Sequence, residues 1–116
     1  MQIEVKGRNV TVSDEMRAHV ERRFAKVGRQ VSELARLEVE FSHERNPSNP
    51  DAQVVDATLY LKGVTLRARD ASPEFKHSVN LVEDEIARQV TRHRVKLRHR
   101  REARTSAAGG GVQPAL

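Results

Sequence analysis

Residues 54–70 read VVDATLYLKGVTLRARD, and their pattern decides the fold class. Val55, Ala57, Leu59 and Leu61 alternate with polar neighbours, the period of a half-buried strand. Val64, Leu66 and Ala68 resume the alternation, with Arg67 and Arg69 on the other side. Between the two runs lies Lys62-Gly63, a tight turn in which glycine supplies the positive φ. Val54–Leu61 and Val64–Arg69 therefore form a hairpin with one apolar face.

Upstream, Arg36–Ser42 shows the same period, with Leu37, Val39 and Phe41 inward and Glu38 and Glu40 outward. His43–Gln53 is a polar loop marked by Asn46-Pro47 and Asn49-Pro50. At the start of the chain, Gln2–Lys6 is a short strand with Ile3 and Val5 on one face. Gly7 to Asn9 end it. Ser13 is the N-cap of a helix whose first turn carries Asp14 and Glu15, where the dipole favours acid. Met16, Val20, Phe24, Val27 and Val31 recur at helical spacing and predict one continuous helix. His19, Arg22, Lys26 and Arg29 fall on a different side, predicted to face outward.

Downstream, Ser72-Pro73-Glu74 opens a second helix with an N-cap, a proline at the first position and an acid in the first turn. Its core stripe is Phe75, Val79, Val82, Ile86, Val90, His93 and Leu97. Arg88, Arg92, Lys96 and His99 flank the stripe on one side, and Arg94, Arg98 and Arg101 on the other. A helix this long outruns the sheet and projects its basic end into solvent. From Thr105 the chain reads TSAAGGGVQPAL, a composition that predicts a disordered tail.

The predicted fold class is α+β, in the order β-α-β-β-β-α. One four-stranded mixed sheet carries both helices on one face, because each strand has a single apolar face. The first strand, first helix and second strand should form a right-handed parallel crossover. Residues 1–104 form one α/β domain and residues 105–116 the tail. A chain of 116 residues suits one domain, and 32% charged residues leave it a modest core. Cysteine is absent, which excludes disulfides, thiolate metal sites and a cysteine nucleophile. Without a signal-like apolar run at the N-terminus or a spanning segment, the expectation is a soluble, cytoplasmic protein that does not engage membranes.

Charge is distributed unevenly. Residues 88–104, RQVTRHRVKLRHRREAR, hold eight Lys and Arg against Glu102 alone. Residues 1–87 hold thirteen bases against fifteen acids, while the whole chain is +5. A field this local suits a polyanion such as nucleic acid. The preference of cations for a helix C-terminus explains one or two bases, not eight. Seven of the eight are Arg, whose planar fork binds phosphate bidentately. Stacking platforms are scarce: Phe24, Phe41 and Phe75 are in core phase and Tyr60 alone lies on the open sheet face. Helix-borne contacts to the backbone of structured RNA are therefore expected, and DNA is not.

No catalytic constellation is legible. Gly109-Gly110-Gly111 lacks the strand and helix that frame a phosphate loop. His93 is in core phase, and His93 and His99 are not at ligand spacing. Asp84 and Glu85 are adjacent and diverge on a helix. Ser13, Ser42, Ser72 and Ser78 lack a nucleophile elbow. No enzyme activity, cofactor or metal is expected.

The chain resembles the ribosome hibernation-promoting factor / protein Y family, also known as the sigma-54 modulation proteins. MQIEVKGRNVTVSDEMRAHVERRFAKV is similar to that family's opening strand and helix, VVDATLYLKGVTLRARD to its third and fourth strands, and EIARQVTRHRVKL to its second helix. The likeness spans about residues 1–100. It implies a non-enzymatic factor that binds the small ribosomal subunit in the mRNA and tRNA cleft and sterically silences idle ribosomes under stress. The resemblance implies contact with ribosomal RNA through Arg22, Arg23, Lys26, Arg88, Arg92, Arg94 and Lys96; Arg29 and Arg98 extend the same basic faces. Long members carry a further dimerising domain, so this chain is expected to be a short form or an N-terminal domain, monomeric off the ribosome. Many members have a tyrosine early in the second helix, where this chain has Glu74-Phe75-Lys76-His77. The alternative is a general structured-RNA-binding module of double-stranded-RNA-binding-domain-like architecture. A small nuclease would need an acid or histidine cluster that the sequence lacks.

Overall fold

The structure is a computed structural model that describes residues 1–46 and 48–110. Its strands are β1 (Gln2–Gly7), β2 (Arg36–His43), β3 (Gln53–Leu61) and β4 (Val64–Ser72). They lie in the order β1-β2-β3-β4 in one sheet. β1 runs parallel to β2, and the other two pairings are antiparallel. The Lys62-Gly63 turn closes the hairpin as its sequence predicts, with Gly63 at φ 80°. A β-branched residue could not take that value cheaply.

The register aligns apolar side chains in rows across the sheet. Ile3, Leu37, Leu59 and Leu66 form one row, and Val5, Val39, Ala57 and Ala68 the next. The third row runs Gly7, Phe41, Val55 and ends on Asp70. Helices cover this face. Val20, Phe24 and Val27 pack from one side, and Val79, Val82, Ile86 and Val90 from α3 (Phe75–Gly110), all essentially buried. The helices thus share one face of a mixed sheet, as the one-sided strands require.

The first helix is not continuous. It divides at Phe24 into α1 (Asp14–Arg23) and α2 (Ala25–Gln30). Phe24 sits at φ −89°, ψ 2°, outside the helical well. Hydrogen bonds still cross the break, from Phe24 N–H to the Val20 carbonyl and from Gly28 N–H to the Phe24 carbonyl, both 2.9 Å. The apolar spacing therefore survives, and periodicity alone is blind to one residue's ψ. Ser13 caps α1 as expected, its Oγ accepting from Met16 N–H at 3.1 Å.

Two further details fix the frame. A Cβ on Gly7 would stand 2.1 Å from the Val10 carbonyl oxygen, so the turn after β1 closes directly over this residue. At the start of α3, Ser72 Oγ accepts from Glu74 N–H at 3.2 Å. Ser78 Oγ donates to the Gln53 carbonyl at 2.7 Å and lies 2.8 Å from Ser72 Oγ. These buried hydroxyls tie the helix to β3 and β4.

α3 is 36 residues long, about 54 Å at 1.5 Å per residue. Among its described side chains Val90 is the last that is buried; residues 96–104 are exposed on every side. Its backbone continues through 105–110, past the point where the sequence places the start of a tail. The remainder of that expected tail, 111–116, lies outside the described residues. Among the described residues, no helix is long and apolar enough to cross a membrane.

Candidate nucleic-acid interface

Apart from Arg88, the basic rows occupy the part of α3 that leaves the core. Arg92, Arg94, Lys96 and Arg98 are all exposed. Among the described residues, none of the four forms an ion pair. Their charge is thus available to an outside anion.

The two rows flank α3 rather than sharing one face. Arg94, Arg98 and Arg101 line a groove with Gln30 of α2. Arg88 lies on the opposite flank, over the edge strand β4, in a recess with Asp70 and Glu85. Gln89 pins that flank: its Nε2 donates to the Arg67 carbonyl at 2.8 Å. Arg88 is not free. Its guanidinium hydrogen-bonds Glu85, which holds that carboxyl below its ordinary range with help from Gln89 and raises the Arg88 pKa. Asp70 moves the other way; burial pushes its carboxyl up and the Glu85 charge adds to the effect.

On the first helical pair, Arg22, Lys26 and Arg29 are exposed as the sequence predicts. Arg23 is different. Its Nη2 donates to Asp84 Oδ1 at 3.0 Å, and its Nε lies 3.1 Å from Glu83 Oε1. It brackets α1 to α3, and its guanidinium is already occupied. His19 is also placed differently from the outward position predicted for it. It is half-buried, with Nε2 2.8 Å from Asn80 Oδ1 on α3. The apolar stripe was too narrow a guide here, because α3 covers more of α1 than the stripe itself. A Lys76–Glu15 ion pair adds a third polar tie between these helices.

Sequence reasoning missed Glu83. It is 8% exposed, and burial pushes its carboxyl up against the opposing effect of Arg23. A signal was present: Glu83 stands four residues after Val79 and three before Ile86, at the spacing of the apolar stripe. An acid at that phase needs a cationic partner.

The open face of the sheet is polar but internally balanced. Arg8 pairs with Glu40, Arg36 with Glu38 and Arg69 with Asp56. Tyr60 O–H donates to Glu38 at 3.2 Å, and the Arg36 guanidinium lies 4.5 Å from the Tyr60 ring centroid. Lys6 and Arg67 are exposed on this face, but they share it with Glu38, Glu40 and Asp56. Ser72 and Ser78 are bonded as structural hydroxyls rather than set up as nucleophiles, and Asp84 and Glu85 diverge to Arg23 and Arg88. Among the described residues, no three His, Asp or Glu side chains gather at metal-ligand distance. The arrangement is equipped to hold phosphates by charge along one helix.

The sequence and the fold are similar to those of known proteins. A family model described as Sigma 54 modulation protein / S30EA ribosomal protein matches residues 3–98. The chain is 32% identical over 114 residues to the ribosome hibernation promotion factor of Lactococcus lactis subsp. cremoris (strain MG1363), covering 93% of this chain and 56% of that protein. It is 28% identical over 97 residues to the ribosome hibernation promotion factor of Picosynechococcus sp. (strain ATCC 27264 / PCC 7002 / PR-6), covering 83% and 50%. The chain thus spans about half the length of these relatives. Its fold matches a ribosomal subunit interface protein from Coxiella burnetii with a TM-score of 0.68 at 21% identity, covering 82% of this chain and 99% of that one. The Protein Y N-terminal domain of Thermus thermophilus matches with a TM-score of 0.67 at 21% identity, covering 80% and 99%.

Proposed function

This chain belongs to the Sigma 54 modulation protein / S30EA ribosomal protein family, and from that membership we propose that it is a ribosome-binding hibernation factor of the cytoplasm. It acts as a monomer on the small subunit, occupies the cleft used by mRNA and tRNA, and inhibits translation by steric exclusion without chemistry. The observation that carries this reading is the exposed stretch of α3 after Val90, whose bases include four without internal ion pairs. Ribosomal RNA is the polyanion that the relatives' names point to. Arg92, Arg94, Lys96 and Arg98 hold phosphates directly, and Arg22, Lys26 and Arg29 extend the contact. Arg88 joins them by exchanging Glu85 for a phosphate, and Arg23 serves by fixing α1 against α3.

Sedimentation with separated subunits and whole ribosomes at several salt concentrations tests the reading. With about five phosphate contacts, log K should fall against log salt with a slope of roughly −3 to −5. Pelleting with the large subunit alone, or a flat salt response, would remove the basis of the proposal. Equal affinity for isolated RNA duplexes would favour a general RNA-binding module. In cell-free translation, inhibition should saturate near one protein per small subunit, be relieved by excess tRNA and mRNA, and leave the ribosomal RNA intact.

A further inference from the structure

The α2–β2 connection, the β3–β4 hairpin and the middle of α3 meet around a cleft of about 620 Å³. Its floor is apolar: Val31, Ala35, Leu61 and Val90. Leu34 and Leu97 form its lips. These are the two large hydrophobic side chains that stand exposed among the described residues, Leu34 at 93% and Leu97 at 41%. An apolar cleft with exposed leucines at its mouth is a surface suited to docking. The volume is within the range of small-ligand sites, about 300–1,000 Å³.

The rim identifies the occupant. Arg36, Lys62 and Arg94 surround the cleft, and among the described residues no carboxylate lines it. The neighbouring groove on the open sheet face, by contrast, mixes Lys6, Arg67 and Arg69 with Glu38, Glu40 and Asp56. Arg94 also lines the groove beside α2 with Arg98 and Arg101, so one basic track leads directly into the cleft. A ligand must therefore be apolar at its inner end, anionic at its mouth and continuous with a phosphate chain. An unpaired nucleotide of RNA has all three properties.

We infer that the cleft takes one unpaired nucleotide of RNA, its base between Leu34 and Leu97 and its phosphate at Arg94. This rests on the proposed RNA contact and deepens it. α3 holds the backbone by charge, and the cleft adds recognition of a splayed base. Unpaired bases can leave the stack and pack on a protein surface, whereas paired ones cannot. The platform escapes a search for aromatics because it is aliphatic, with the Arg36–Tyr60 stack at its margin.

The test uses two RNA hairpins with the same stem, one carrying a single bulged fluorescent purine analogue and the other fully paired. The bulged hairpin should bind about tenfold tighter, at the low end of what stacking one base on an aromatic side chain contributes because this platform is aliphatic, and its fluorescence should change on binding. Leu34→Asn and Leu97→Asn should each bring it to the affinity of the paired hairpin, whose own binding stays unchanged because neither substitution alters charge. Leu34 is almost wholly exposed, so its variant tests the cleft without risk to the fold. Equal binding of both hairpins by the unaltered protein would overturn the inference. So would loss of ribosome pelleting in Leu34→Asn without any preference for the bulge, which would place a protein surface in the cleft. Persistent ribosome pelleting with no bulge preference removes the cleft alone; bulge preference without pelleting removes the ribosomal function alone.

Discussion

Arg23 and Glu83 face each other across the α1–α3 junction, Nε to Oε1 3.1 Å, with the carboxylate almost sealed from water. Burial raises the Glu83 pKa above its ordinary 4.5, and Arg23 only partly opposes this. A raised carboxylate pKa means that the folded protein binds the proton more tightly than the unfolded chain does. The Glu83 contribution is therefore most favourable at low pH and declines as pH rises through the folded pKa. Removing the guanidinium leaves a buried charge at neutral pH but a neutral acid at low pH. Arg23→Met should cost about 2 kcal/mol at neutral pH, and the loss should shrink towards pH 4. Denaturant titrations of both proteins at several pH values check this. A loss that grows on acidification would contradict it.

Location of charge should outweigh its amount. Arg92→Glu with Arg98→Glu alters one residue of each row on α3, both exposed and without internal ion pairs. Ribosome pelleting should fall at least about tenfold, and the salt slope should lose about two units. Arg17→Glu with Arg45→Glu changes net charge equally on exposed sites elsewhere. It should weaken pelleting less than about threefold at moderate salt, where long-range charge is screened. Equal losses would mean that net charge alone governs association.

Ending the chain at Arg104 should leave the melting temperature within about one degree, because residues beyond an exposed helix end contribute little to a packed domain. Residues 96–104 already stand clear of the core, and Val90 is the last buried one among the described side chains of α3. Differential scanning calorimetry of the shortened chain decides this, and a drop of several degrees would mean that residues 105–116 dock on the domain.

Gly7→Ala should be costly despite its exposed position. The new methyl would lie 2.1 Å from the Val10 carbonyl oxygen, a backbone atom that cannot rotate away. Relief requires the turn through Asn9, which already holds φ at 56°, to open. A loss of about 2–3 kcal/mol in chemical denaturation is expected. A neutral result would show that the turn opens freely.

The strands and the long helix are legible in the sequence, whereas the break of the first helix at Phe24 is not. Strict alternation in β2, β3 and β4 needs one buried face, Lys62-Gly63 needs a two-residue turn, and the Val79–Val90 stripe needs a long helix against the sheet. These signals are local, because the 2.0 and 3.6 residue periods are properties of the backbone. The concentration of bases after residue 87 was equally legible. Which charges are free depends on contacts between elements. His19 meets Asn80 and Arg23 meets Asp84, each pair 61 residues apart in the chain. Side-chain periodicity says which way a residue points on its own helix, not what another helix places opposite it. The same holds for the cleft: Leu34 precedes β2, Leu61 ends β3 and Leu97 lies far along α3. Folding alone brings those leucines together, because sheet order and helix packing are fixed by burial of the whole core rather than by any one segment.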